Sequence, residues 1–71
     1  MKYAVVFEQG PTSVGAVVPD LPGCFAIGSS RREVETLIRE AIKAHLAALQ
    51  ESGISAPKPS HEVGEIEVTA A

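Results

Sequence analysis

Seventy-one residues, 45 % of them apolar and 21 % charged, with a net charge of −3, describe one small acidic domain. That composition excludes a disordered chain, and six Lys and Arg against nine acids leave little material for a nucleic-acid-binding face. A single cysteine excludes an internal disulfide, and no Cys/His cluster has metal-site spacing.

No apolar run approaches a membrane span, and the N-terminus lacks the basic start, apolar middle and cleavage site of a signal peptide. The expected location is therefore the cytoplasm. A chain of this size removes only roughly 60 % of its unfolded surface from water. A homodimer or a higher homo-oligomer is the expected support.

In chain order, Lys2–Glu8 (KYAVVFE) predicts a strand, with Tyr3, Val5 and Phe7 on one face and Ala4 and Val6 on the other. Apolar on both faces, it is expected in the middle of the sheet. Gln9–Thr12 is a turn, because Pro11 keeps Gly10 out of the helical region. Ser13–Val18 is its hairpin partner, in which Gly15 marks a weak point or a bulge. Pro19-Asp20-Leu21-Pro22-Gly23-Cys24 follows. Its Pro22-Gly23 suits the two central positions of a type II turn, and Cys24–Ile27 continues as a short third strand.

Ser30–Ser52 carries the strongest signal in the chain. Val34, Leu37, Ile38, Ala41, Ile42, Leu46 and Leu49 form one stripe at helical spacing. Ser30 and Glu33 make a capping box at its start, with the carboxylate reaching back to the cap, and Gly53 closes it. The helix is expected over residues 31–51. Pro57-Lys58-Pro59 lies in a loop, and Val63–Thr69 (VGEIEVT) alternates as a one-sided strand with Glu65 and Glu67 outward. The expected fold is α+β: a two-layer βββαβ domain over residues 1–71, with four strands and one long helix packed on one face.

Candidate chemistry is sparse. His45 reads as a partly buried helix residue, and His61 as a loop residue without a paired nucleophile. Cys24 reads equally as a buried apolar residue or a thiol without a visible base. Arg31 and Arg32 open the helix as solvated charges or as a contact for an acidic partner. Glu8, Glu35 or Glu40, and Glu65 or Glu67 offer a metal-dependent hydrolase as the remote alternative, although helix glutamates off the stripe are ordinary solubilising residues. No catalytic residue, cofactor or metal site is expected.

At the proline-rich turn a resemblance emerges. VVPDLPGC (Val17–Cys24), then Gly28-Ser29-Ser30-Arg31-Arg32-Glu33, a helix closing in glycine and Pro57-Lys58-Pro59 resemble the HicB-like family of antitoxins. The resemblance implies a partial RNase H-like unit without nuclease activity, with mainly antiparallel strand order 3-2-1-4 and the last strand parallel to the first. It also implies a partner, a HicA-like mRNA-cleaving toxin that this domain neutralises by covering its active site.

After the last predicted strand no residues remain for a helix in the major groove, so no direct contact with nucleic acid is expected. The expected partner-binding residues are Asp20, Leu21, Pro22 and Gly23, because a Leu21 held between two prolines is a preordered apolar contact. Self-association is expected at Cys24–Ile27 or the neighbouring sheet face. The alternative function is a stand-alone oligomeric scaffold or regulator with no toxin partner.

Overall fold

The computed structural model describes residues 1–70. Strands β1 (Val6–Gln9), β2 (Val14–Val17) and β3 (Phe25–Gly28) precede one helix, α1 (Arg31–Glu51). The strands form one antiparallel sheet in the order β1-β2-β3, with Val6 opposite Val17 and Val17 opposite Phe25. The helix lies across one face.

Two expectations are corrected here. The sheet has three strands, not four in the order 3-2-1-4, and among the described residues Val63–Thr69 pairs with nothing. β1 is consequently an edge strand rather than a central one. The physical reason is that alternation makes a segment compatible with a sheet but supplies no partner edge. The chain just before this segment is held at the turn between β2 and β3, described below, and residues 62–70 run on exposed.

The helix begins and ends as its sequence signals require. The Glu33 amide donates to Ser30 Oγ at 3.1 Å, and Glu33 Oε1 accepts from the Ser29 amide at 2.8 Å, one residue before the cap that the capping-box reading names. At the far end Gly53 has φ +72°. Ile54 N–H then donates to the Leu49 carbonyl at 2.9 Å and Gly53 N–H to Gln50 at 3.0 Å, the paired bonds of a left-handed glycine closure.

Packing follows from lengths. Four-residue strands span about 13 Å, whereas the 21-residue helix is about 30 Å long. The sheet therefore covers only the first half of the stripe. Val34 and Ile38 are buried with Val14, Ala16, Val18, Leu21, Cys24 and Ala26, whereas Ala41, Ile42 and Leu46 are half-covered and Leu37 is largely exposed. Residues Met1 and Ile54–Ala56 lie beside Leu46 at the helix's far end. The radius of gyration is 14.3 Å, against about 11 Å for a compact chain of this length.

Candidate functional site

The β2–β3 connection is two turns laid end to end. Leu21 N–H donates to the Val18 carbonyl at 3.0 Å, and Cys24 N–H to the Leu21 carbonyl at 3.0 Å. The second is the turn read from Pro22-Gly23: Gly23 takes φ +84° at the position where a type II turn requires a positive value. A third bond, Val18 N–H to the Cys24 carbonyl at 3.2 Å, closes the base of the loop.

This doubling back separates the four expected contact residues. Leu21 is 0 % exposed and belongs to the core, so its side chain is an internal anchor of the loop rather than part of its surface. Pro22 and Gly23 stand exposed at the tip. Asp20 is turned toward the far end of the chain, and its side chain is 6 % exposed.

The Asp20 carboxylate gathers the chain after the helix. It accepts from Ser60 Oγ at 2.6 Å, from the Ser60 amide at 3.0 Å and from the His61 amide at 3.3 Å. His61 Nδ1 lies 2.7 Å from the same carboxylate, and an Nδ1–H there donates to it. The Tyr3 hydroxyl donates to the Pro57 carbonyl on the way. Residues 54–61 are thereby laid across the end of the sheet, from the start of the chain to the β2–β3 turn. Sequence reasoning missed this clasp because nothing local links Asp20 to residues forty positions later; Ser60-His61 after a Pro-x-Pro was the available signal.

The clasp is not a nucleophile with its base. Both Ser60 Oγ and His61 Nδ1 address Asp20 Oδ1, and they stand 3.5 Å from each other. Donation by Ser60, first from its hydroxyl and then from its amide, outweighs the opposing effect of burial. With the His61 contacts it holds the Asp20 carboxyl well below its usual range. A carboxylate so stabilised is a poor proton acceptor.

The sign of its pH dependence follows: a depressed pKa contributes stability above the unfolded value and loses it as pH falls toward the lower folded one. The clasp should therefore persist through the ordinary aspartate value of 3.8 and open only below it. Titrating the Asp20 carboxyl carbon and the Ser60 amide by NMR checks this. A common midpoint at or above that value would contradict it.

Three other candidates resolve simply. Burial raises the Cys24 thiol, which suits a core residue rather than a nucleophile. His45 is half-buried on the helix. Among the described residues, no three His, Cys, Asp or Glu side chains gather as a group able to hold a metal ion, so Glu8, Glu35, Glu40, Glu65 and Glu67 do not converge.

A second surface adjoins the turn. The helix covers one face of the sheet, and strand alternation puts Val6, Val17, Phe25 and Ile27 on the other. Phe25 is 61 % and Ile27 64 % exposed. With Glu8 and Gly15 they line a shallow apolar depression. Val17 and Phe25 stand opposite each other at the end of the strands nearest Pro22-Gly23.

The family described as HicB_like antitoxin of bacterial toxin-antitoxin system matches residues 3–69. A UPF0150 protein of Thermoplasma acidophilum is 37 % identical over 63 residues, covering 87 % of this chain and 91 % of that one. An uncharacterized 14.9 kDa protein from the rep-hol intergenic region of Haemophilus phage HP1 is 33 % identical over 58 residues, covering 82 % of this chain but 44 % of the phage protein. No solved structure matches significantly. Among the described residues, no helix is long and apolar enough to cross a membrane. With the match spanning nearly its whole length, the chain belongs to the HicB-like antitoxin family of bacterial toxin-antitoxin systems.

Proposed function

We propose that the chain is a protein-binding module, not an enzyme, that neutralises a HicA-like mRNA-cleaving toxin by covering its active site in the cytoplasm. Family membership supplies the kind of partner. The observation that carries the reading is the exposed apolar strip Val17, Phe25 and Ile27, whose Val17–Phe25 end is the one nearest the Pro22-Gly23 turn. Soluble chains rarely leave contiguous apolar surface on a rigid sheet without a use for it, and an exposed aromatic there is the usual anchor of an interface.

Asp20 and Leu21 contribute from behind. Leu21 holds the loop from the core, and Asp20 fixes the chain beside it. The net charge of −3 favours encounter with a basic RNA-binding toxin and disfavours direct binding to RNA or DNA. In this reading the βββα order is the partial RNase H-like unit up to its last strand, serving as a binding surface. The protein works as a homo-oligomer.

The test is calorimetric binding of a purified HicA-like toxin. The wild-type chain is expected to bind it. Phe25→Asp should weaken binding by about a hundredfold, the scale of losing an interface anchor, with an unchanged circular dichroism spectrum because Phe25 is exposed. Full affinity in Phe25→Asp would remove this surface from the interface. Absence of binding by the wild type would favour the scaffold alternative.

A further inference from the structure

Among the described residues, Val63–Thr69 pairs with no strand and one groove stays open, and the two are complementary. The groove, about 550 Å³, runs between the N-terminal residues leading into β1 and the Glu35–Lys43 stretch of α1. Val5, Phe7, Ile38 and Ile42 are among the apolar residues that line it, and among the described residues the outer edge of β1 has no strand partner. Lys2, Arg39 and Lys43 stand around it against a single acid, Glu35, which is paired with Arg31 at 3.1 Å. Lys43 is 3.6 Å from Glu40, an exposed pair of little strength.

The segment has the opposite character. Residues 59–70 contain Glu62, Glu65 and Glu67 and no Lys or Arg. Val63, Ile66 and Val68 are 76 %, 86 % and 79 % exposed, and alternation puts Ile66 and Val68 on one side. The Asp20 clasp then decides whose groove is filled. It carries the chain off the β1 side of its own sheet to the β2–β3 turn, and residues 62–70 continue away from it without cover.

We propose that residues 63–69 of one copy dock along β1 and α1 of a second copy, and reciprocally, with Ile66 and Val68 in the groove and the acidic residues drawn to its basic surroundings. This specifies the homo-oligomer proposed above as a two-fold exchange dimer, in which both apolar surfaces are satisfied by one symmetric operation and both β1 edges gain a strand. It moves self-association from the β3 side, where the sequence reading puts it, to the β1 side. The strip at Phe25 and Ile27 stays free for the toxin.

The test combines sedimentation equilibrium with disulfide trapping on the full chain. The wild type should be a dimer. Ile66→Asp should weaken it by about a hundredfold, the scale of burying one or two aliphatic side chains, while leaving the helical spectrum unchanged. In a Cys24→Ser background, chains carrying Ile66→Cys mixed with chains carrying Ile42→Cys should form the mixed disulfide. A dimer untouched by Ile66→Asp, or an intramolecular disulfide in a chain that carries both Ile42→Cys and Ile66→Cys, would overturn the exchange while leaving a homo-oligomer standing. A monomeric wild type would overturn both. Toxin binding by Ile66→Asp reports on the functional proposal separately, because it depends on the other face of the sheet.

Discussion

Leu21→Ala is expected to destabilise the domain by about 2–5 kcal/mol, the range for truncating a buried leucine. Leu21 is among the largest fully buried side chains, in one cluster with Val18, Cys24, Val34 and Ile38. Its backbone also accepts and donates the bonds that define both turns of the β2–β3 loop. The cavity would open beneath the very loop proposed to meet the toxin, in a domain whose total stability is of the order of the loss. Pro22→Ala, one residue on and exposed, should change stability by less than about 1 kcal/mol. Chemical denaturation of the two variants decides the matter: equal midpoints would mean that Leu21 is not the anchor of this loop.

Ile38→Ala should cost a similar amount, about 2–5 kcal/mol, because Ile38 lies where the helix crosses the sheet and is 4 % exposed. Ile42→Ala, one turn further along the same stripe, should cost less in the isolated chain, since Ile42 is only partly covered. The gap between them should narrow at concentrations where the exchange dimer forms, because Ile42 is then buried by the partner. Thermal melts at low and high protein concentration measure this. An Ile42 effect as large as that of Ile38 at every concentration would contradict the picture of a stripe covered over its first half.

The helix was the legible part of this chain. A twenty-residue periodic stripe, a hydroxyl cap with Glu33 and a closing glycine are all local signals, and local bonds satisfy them. The three antiparallel strands and the Pro22-Gly23 turn were legible for the same reason. What could not be read locally was partnership. Val63–Thr69 alternates as well as β2 does, yet a strand exists only where an edge receives it, and the clasp at Asp20 takes this segment away from the edge of its own sheet.

Leu21 shows the converse. Between two prolines in a turn it read as surface, but two consecutive turns fold it back onto the helix, and its burial depends on residues distant in sequence. An open sheet face was legible from one helix set against one sheet, but two-sided apolarity in Lys2–Glu8 placed that strand in the middle of the sheet, whereas it lies at an edge.

In the proposed function this chain silences an RNA-cleaving toxin through its sheet face. Cleavage of a labelled mRNA by a HicA-like toxin, titrated with wild-type chain and with Phe25→Asp, tests this. Cleavage should fall to background once wild-type chain matches toxin, whereas Phe25→Asp, equally folded, should leave it running. Cleavage that continues unchanged in molar excess of the wild-type chain would contradict it.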